Sequence, residues 1–293
     1  LQGAGAYMAG TTTDGSWAGN EKEGIVHPFV PYPSSGAASN WLGLPNKGHD
    51  AVSKIIRTHQ ANRYPACPIW CSLMASPDPT KSLPEVRMRG LISGMYAYQQ
   101  AGADVLEINE SCPNTGHGQP DYAQLGQRLK QIKEEFLDQR NWSIPVVVKL
   151  SNDLQVEQLP QMLDLLFEHG FDGVNLGNTS TQYDKRKSAI HEHDRRVYEY
   201  FTQTFGGGVS GRPLKESSLE LCARAVSYIK EGPPSRQFHV IRTGGIESAR
   251  DLAQSDGEGI SLNQWFTGYW DAFAQNGHDV YKTIYEDYLA LRS

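Results

Sequence analysis

A cysteine and two asparagines lie close together just after an apolar run in residues 104–115, DVLEINESCPNT. The run ends at Asn109, Cys112 lies three residues further on, and Pro113 and Asn114 follow in a stretch rich in Gly and Pro. A thiol in a mobile loop at the end of a strand can act as a base over a bound substrate. The amides of Asn109 and Asn114 each offer a donor and an acceptor, which suits a planar, amide-rich ligand. An ordinary turn that stops at Pro113 explains the same residues, so the segment alone leaves both interpretations open.

Short apolar runs alternate with helical patterns along the chain, as expected for parallel strands that are buried on both faces. We predict seven strands, at residues 6–9, 69–74, 104–109, 146–150, 173–176, 239–243 and 260–264. Helices with a buried apolar face are predicted at residues 122–140, 158–169 and 215–231 and from residue 279 onward. Strand alternating with helix indicates an α/β fold with a parallel sheet, and no linker rich in Ser or Pro divides it.

Two long insertions follow predicted strand ends, which is where a (β/α)8 barrel builds its active site. Residues 11–47 are rich in Gly, Ser, Asn and Pro, and residues 180–205 are highly charged. The second insertion contains the run His-Glu-His-Asp from His191, which could be imagined as a metal site. Its spacing fits neither a helical nor a turn ligand set, so we interpret this insertion as a solvated loop over the mouth of the barrel.

Composition and charge exclude several classes of protein. The 293 residues contain 27 Lys and Arg against 33 Asp and Glu, a net charge of −6, with a mean hydropathy of −0.51. A general nucleic-acid binder would need an excess of basic charge, so no nucleic-acid partner is expected. No apolar run approaches the about 20 residues that a membrane-spanning helix requires. Four cysteines are too few for a disulfide scaffold, and no second ligand pair accompanies Cys67 and Cys71, so no metal site is predicted.

The segment EINESCPNT resembles the Asn-x-Ser-Cys-Pro-Asn signature of the dihydroorotate dehydrogenases, in the branch whose catalytic base is cysteine. Further matches follow in the family's order along nearly the whole chain. NWLGLPNKG, from Asn40, resembles the substrate loop, VVVKLS the strand that carries the flavin lysine, and GNTS an asparagine-bearing strand end. GGGVSGRPLKESS, TGGI and GISLNQWFTGYW match the later motifs. Motifs in this order are far more specific than any glycine pair alone.

The resemblance implies one FMN-binding barrel domain over residues 1–293, with FMN at the C-terminal mouth. Lys149 is implied to face the flavin ring, where a fixed positive charge stabilises the anionic reduced flavin. Backbone N–H groups after the last two strands are implied to hold the FMN phosphate, as in many barrels. The implied cofactor-binding residues are Thr11, Lys149, Ser210, Gly211, Gly244, Gly245, Phe266 and Thr267.

The substrate implied by the resemblance is dihydroorotate, which is oxidised to orotate in pyrimidine biosynthesis. The implied substrate-binding residues are Asn40, Leu42, Gly43, Leu44, Asn109, Asn114, Asn178 and Thr179, with the backbone N–H groups of residues 42–44 on the carboxylate. Cys112 is implied to remove a ring proton while a hydride leaves the adjacent carbon for FMN. Residues 113–122 would close over the site and exclude water.

At Gly10 the chain departs from the family's pattern, because the cysteine-type enzymes usually carry a lysine there that contacts flavin and substrate. Two alternatives therefore stay open: a relative that acts on another pyrimidine-like ring, and a non-catalytic barrel homologue that serves as a structural subunit. The segment 206–218 looks more like the quinone-linked branch. Fumarate is the default electron acceptor, with quinone as the alternative, and a homodimer would match the cysteine-type relatives.

The N-terminus bears on the expected fold. In the family, a first strand and its helix precede the segment that residues 1–13 resemble. We therefore expect a (β/α)8 TIM barrel whose first strand lies upstream of Leu1, in a gene product longer by some tens of residues. A cytoplasmic location is expected, with a mitochondrial one as the alternative.

Overall fold

A parallel sheet forms the centre of the fold. The structure is a computed structural model that describes residues 4–60, 67–81, 83–111, 122–232 and 236–292. Seven strands pair side by side in the order in which they occur along the chain, and each pair of neighbours is parallel. Their bounds are β1 Tyr7–Thr12, β6 Ile69–Leu73, β7 Val105–Asn109, β8 Val146–Leu150, β9 Gly173–Leu176, β11 His239–Thr243 and β12 Leu262–Gln264.

The seven predicted strands are confirmed, with small differences at their ends. The strand β1 runs to Thr12, three residues beyond its predicted end, and β12 begins at Leu262 rather than at residue 260. Successive side chains of a strand point to opposite faces of the sheet, and in these runs the residues on both faces are mostly apolar. In β8, Val146 and Val148 pack into the core between sheet and helices, while Val147 belongs to a separate cluster with Trp70 of β6. One face of the curled sheet therefore meets the helices and the other encloses the interior of the barrel.

Ten helices follow the strands among the described residues, and most of them cover the outer face of the parallel sheet. Their bounds are α1 His49–Gln60, α2 Pro84–Ala101, α3 Tyr122–Ile132, α4 Leu159–Glu168, α5 Tyr183–Lys187, α6 Glu192–Thr204, α7 Lys215–Glu231, α8 Ala249–Gly257, α9 Thr267–Asn276 and α10 Val280–Arg292. A π-helical turn, Lys133–Leu137, extends α3. The apolar face predicted for this segment is confirmed, because Leu125, Leu129 and Phe136 are fully buried. No helix among the described residues is long and apolar enough to cross a bilayer.

The face predicted for the C-terminal helix is buried only at its start. Val280 is buried, whereas Ile284 and Tyr288 are half-buried and line a cavity of about 260 Å³ beside Leu262 of β12. Because β12 is an edge strand of the parallel sheet, the apolar face of α10 meets an open groove there instead of a packed layer.

The first insertion folds back over the mouth of the barrel as an antiparallel sheet. Its strands β4 (Phe29–Tyr32) and β5 (Ala37–Asn40) pair with each other, and β5 also pairs with β10 (Gly208–Gly211). They are preceded by a short hairpin whose two strands, β2 (Glu21–Lys22) and β3 (Ile25–Val26), have two residues each. The strand β10 is bridged to the loop after β9, where Ser180 and Val209 exchange both backbone hydrogen bonds at 2.8 Å. This bridge places the small sheet beside the C-terminal end of β9.

The expectation of a solvated loop in residues 180–205 is wrong, because the segment forms α5 and α6. Tyr198 and Ile190 pack with Tyr32 and Val209 into a second apolar cluster. The side chain of Asp194 in α6 is buried and accepts a hydrogen bond from Ser35 Oγ at 2.6 Å. The run of charges hid these apolar positions, so the sequence looked uniformly solvated.

Candidate active site

A charged pair lies inside the barrel, below its mouth. The Lys149 side chain on β8 is 16% exposed, and its Nζ lies 3.6 Å from Oε1 of Glu107 on β7, whose side chain is 1% exposed. These two strands are neighbours in the sheet, and both residues occupy inward positions of their strands. Lys149 therefore lies at the inner wall of the mouth, where it was expected. Its partner Glu107 was not predicted as a site residue.

Three further side chains bind the buried carboxylate of Glu107. Oε1 accepts a hydrogen bond from Ser72 Oγ at 3.1 Å. Oε2 accepts hydrogen bonds from Asn175 Nδ2 at 2.8 Å and from Gln264 Nε2 at 2.9 Å. Thr243 Oγ1 completes the set by donating to Asn175 Oδ1 at 2.8 Å. We call these side chains the interior polar layer: Ser72, Glu107, Lys149, Asn175, Thr243 and Gln264.

Sequence reasoning missed most of the interior polar layer, although a signal was present. Glu107 stands between Leu106 and Ile108, and Asn175 between Val174 and Leu176, in strands that are otherwise apolar. A polar residue in the middle of a strand buried on both faces must have a partner, because an unpaired buried charge is very costly. Such residues should therefore have been predicted to point into the interior of the barrel, although the sequence does not show which of them pair.

Directly above the interior polar layer, three predicted residues form one chain of hydrogen bonds. Asn178 Nδ2 donates to Asn109 Oδ1 at 3.2 Å, and Asn109 Nδ2 donates to Thr11 Oγ1 at 3.1 Å. The Thr11 hydroxyl lies 2.9 Å from Ser72 Oγ, which connects this chain to Glu107. The mouth thus presents two asparagine amides over Lys149, an arrangement that can meet both the donors and the acceptors of a flat polar ring.

Asn40 and Thr179 lie on either side of β10. A methyl group at Gly208 would overlap the Thr179 hydroxyl, and one at Gly207 would overlap the backbone carbonyl of Asn40. Thr179 Oγ1 is buried and has no hydrogen-bond partner among the described residues. The two glycines thus allow the backbone around β10 to lie close to both predicted substrate residues, Asn40 and Thr179. The Thr179 hydroxyl is available for one further hydrogen bond.

The predicted carboxylate loop, residues 42–44, is held by its carbonyl groups. Leu42 O accepts from the backbone N–H of Asn20 at 2.8 Å, and Gly43 O accepts from Trp17 Nε1 at 2.7 Å. Asn46 Nδ2 donates to Leu44 O at 2.8 Å. Gly43 and Leu44 both have positive φ, 71° and 60°, so the loop is tightly turned. Asn46 is a positioning residue that sequence reasoning missed.

The predicted phosphate residues gather around the first turn of α9. Thr267 Oγ1 donates to Ser210 Oγ at 2.8 Å, and a methyl group at Gly211 would lie 3.0 Å from Thr267 Cγ2. A methyl group at Gly268 would lie 2.8 Å from Ile246 O, so the turn that contains Gly244 and Gly245 packs against the same helix start. The Phe266 side chain is exposed, which leaves its backbone for the predicted role. The backbone N–H groups at the start of a helix have no acceptor within the helix. Together with the two hydroxyls, they suit a phosphate group.

These groups fit both ends of an FMN molecule. Hydroxyls and a helix N-terminus form the phosphate end, and the Lys149 ammonium with the asparagine amides forms the ring end. Apart from Ser210, which lies on β10 of the antiparallel sheet, they lie at or after the C-terminal ends of the parallel strands, where barrels bind cofactors.

Two predicted residues, Cys112 and Asn114, lie outside the described residues, as do residues 113–121. Ser111, which precedes Cys112 in sequence, is described: its backbone O and its Oγ accept from Asn178 Nδ2 at 3.1 and 3.2 Å. Burial raises the pKa of Cys71 and of Cys222 to about 12. Both are therefore protonated core thiols at neutral pH and are unsuited to act as a base.

Gly10 does not have room for the lysine that the family pattern places there. Its φ is 107°, and a Cβ would overlap the backbone carbonyl of Ser72. In this backbone a side chain at residue 10 would be strained whatever its chemistry, and Lys149 is the cation that the interior polar layer holds.

The chain matches one protein family over nearly its whole length. The sequence model of the family described as dihydroorotate dehydrogenase matches residues 1–288. The quinone dihydroorotate dehydrogenase of Bordetella pertussis is 29% identical over 273 residues, which cover 91% of this chain and 70% of the relative. The enzyme of the same name from Aeromonas hydrophila is 28% identical over 287 residues, 96% of this chain and 76% of the relative.

Solved structures show the same fold. The dihydroorotate dehydrogenase of Eimeria tenella in complex with ferulenol superposes with a TM-score of 0.78 at 22% identity, covering 97% of this chain and 74% of that one. The ligand-free form gives 0.75 over 95% of this chain. The parallel sheet with its outer helices is therefore the TIM-barrel architecture that the sequence predicted.

Proposed function

Because the chain belongs to the dihydroorotate dehydrogenase family, we propose that it oxidises dihydroorotate to orotate in pyrimidine biosynthesis. The family is flavin dependent, and FMN when bound supplies the acceptor for the hydride. The observation that carries the proposal is the chain of hydrogen bonds from Asn178 through Asn109 to Thr11, directly above the interior polar layer.

We assign the FMN contacts to one barrel domain over residues 1–293. The Lys149 ammonium would lie against the flavin ring, at the inner wall of the mouth. Ser210 and Thr267, whose hydroxyls already share a hydrogen bond, would hold the phosphate. The amides of Gly244, Gly245 and the α9 N-terminus would add donors without adding charge.

The substrate would lie between the two sheets that meet at the mouth. Asn109 and Asn178 come from the parallel sheet and Asn40 from the antiparallel one, so their amides can contact different edges of one flat ring. Thr179 adds an unused buried hydroxyl, and the backbone N–H groups of residues 42–44 would bind the carboxylate. We assign the ring proton to Cys112, with Asn114 as a further contact, because a thiol held close to the substrate is a suitable base.

Quinone is the electron acceptor that we propose, because the relatives from Bordetella pertussis and Aeromonas hydrophila are both named quinone dihydroorotate dehydrogenases. Fumarate stays a prediction from the cysteine-type resemblance, as do a homodimer and a cytoplasmic location. A second candidate function, oxidation of another pyrimidine-like ring, is favoured by Gly10, where no side chain fits.

Anaerobic flavin reduction tests these proposals. The protein is purified, loaded with FMN, and mixed with dihydroorotate or dihydrouracil in separate cuvettes. Bleaching with dihydroorotate supports the proposed function, and bleaching with dihydrouracil alone supports the second candidate. Protein that takes up no FMN would overturn both and leave the non-catalytic homologue. Reoxidation by a soluble quinone or by fumarate then identifies the acceptor.

A further inference from the structure

Glu107 is a buried carboxylate in the interior of the barrel that the proposed reaction does not use. Its side chain is 1% exposed, and it accepts three hydrogen bonds, from Ser72, Asn175 and Gln264. An ionised carboxylate in such a place needs a counter-charge, because hydrogen bonds from neutral groups alone rarely offset the cost of desolvation. Lys149 supplies that charge on the neighbouring strand.

The geometry of this pair leaves part of the ammonium available. The separation of 3.6 Å between Nζ and Oε1 is longer than the about 2.7–2.9 Å of a charge-assisted hydrogen bond. Glu107 therefore attracts Lys149 without occupying its N–H donors directly. The Lys149 side chain is also more exposed than its partner, 16% against 1%, so the ammonium lies toward the mouth and the carboxylate toward the floor.

We propose that Glu107 is a positioning residue that restrains Lys149 and offsets its charge, thereby limiting how strongly the site favours reduced over oxidised FMN. The inference rests on the proposed function in one respect, since it requires FMN above Lys149. A lone ammonium stabilises the anionic reduced flavin. A carboxylate behind the ammonium weakens that field and holds the charge toward the floor. Loss of the carboxylate frees the ammonium to move toward the flavin.

The midpoint potential of bound FMN gives a direct readout that does not depend on turnover. Two uncharged variants, Glu107→Gln and Glu107→Ala, remove the carboxylate. Gln retains the volume but places an amide near the donors of Asn175 and Gln264, whereas Ala leaves those two residues paired with each other at 2.9 Å. If the Gln variant fails to fold, the Ala variant therefore gives the same measurement. Asp138→Asn is the matched control, since it removes the carboxylate of another lysine pair, Lys133 with Asp138 at 2.6 Å, in the turn after α3.

We expect both Glu107 variants to bind reduced FMN about tenfold more tightly relative to oxidised FMN, which shifts a two-electron potential by about +30 mV. The Asp138→Asn protein should stay at the wild-type potential. A purely structural role for Glu107 predicts the opposite sign, because a disordered Lys149 would stabilise reduced FMN less. An unchanged or more negative potential in both variants would overturn the proposal.

Potentials are measured by reductive titration with a chemical reductant, so dihydroorotate is not needed. A positive shift in protein whose flavin dihydroorotate does not bleach would support the role of Glu107 and reject the proposed substrate. Bleaching by dihydroorotate without the shift would do the reverse. A wild-type chain that binds no FMN would reject both.

Discussion

Asn178 and Asn109 are bonded to each other across the mouth of the barrel, with Asn178 Nδ2 donating to Asn109 Oδ1 at 3.2 Å. Asn109 is the last residue of β7 and Asn178 follows β9, and these two strands are separated in the sheet by β8, the strand of Lys149. The bond therefore spans the lysine strand. Each asparagine fixes the orientation of the other, so both amides are pre-organised before a ligand arrives, which lowers the entropic cost of binding.

Replacing Asn178 should weaken substrate binding more than FMN binding. Asn178→Ala removes one amide and leaves Asn109 Oδ1 without this donor, and a buried polar group left without its partner costs about 1–3 kcal/mol. We expect kcat/KM for dihydroorotate to fall about tenfold to a hundredfold, measured by steady-state kinetics. Asn276→Ala, at an exposed position near the end of α9, is the control and should retain full activity. Equal losses in both variants would refute a specific role for Asn178.

Removing the proposed base should separate FMN binding from chemistry. Cys112 is not among the proposed FMN-binding residues, so the yellow holoprotein of Cys112→Ala should form normally. Loss of a general base typically costs about 10²–10⁴ in rate, and stopped-flow reduction by dihydroorotate should slow by a factor in that range. Cys67→Ala, a buried thiol away from the mouth motifs, controls for the loss of a cysteine. Rapid reduction in Cys112→Ala protein would remove the thiol from the mechanism.

The sequence predicts the parallel strands and several residues at the mouth, but not the helices of the second insertion. Parallel strands were located because runs such as VVVKL are apolar on both faces, and their order follows the chain. Asn109 and Thr11 were placed at the mouth by motif, and the structure brings them within hydrogen-bond distance. The helices α5 and α6 were missed because charged residues outnumber the buried apolar ones, such as Tyr198, in this segment. A composition average cannot show which few positions face the core.

Pairings between strands were beyond the sequence. Glu107 could be recognised as anomalous within β7, but its partners Asn175 and Gln264 lie 68 and 157 residues away in the chain. The periodicity of a sequence does not show which residues of two distant strands lie side by side, because this register is fixed only when the sheet packs. The same limit applies to Asn46, whose role depends on contacts with Thr13 and Leu44 across a folded loop.

A methyl group at Gly208 should destabilise the mouth while leaving the rest of the fold intact. Gly208→Ala forces the new methyl onto the Thr179 hydroxyl, and overpacking of this kind costs about 1–3 kcal/mol. We expect a lower free energy of unfolding in urea and a raised KM for dihydroorotate. Gly257→Ala, at the end of α8 with nothing near the new methyl, should be as stable as wild type or slightly more so. Comparable losses in both proteins would contradict the close approach at Gly208.

His49 should make stability depend on pH in the acid range. It lies at the start of α1, where burial lowers its pKa from 6.5 to about 4, although Asp14 and Asp50 oppose that shift and Lys81 adds to it. The folded state therefore keeps His49 neutral where the unfolded chain binds a proton. As pH falls from about 6.5 toward 4, the unfolded state takes up more protons and the free energy of unfolding decreases, by about 1.4 kcal/mol per unit of pKa difference.

The His49→Gln variant isolates this contribution. Gln cannot titrate but can still bond the Thr12 hydroxyl, which lies 2.9 Å from His49 Nδ1. Urea unfolding of both proteins at several pH values between 4 and 8 gives the free energy of unfolding as a function of pH. The two curves should run parallel above pH 7 and converge or cross as the pH falls, because only the wild type loses the contribution of neutral His49. His278→Gln, at an exposed position, should follow the wild-type curve throughout. If the two curves for wild type and His49→Gln stay parallel down to pH 4, His49 is protonated in the folded protein and its buried environment does not hold it neutral.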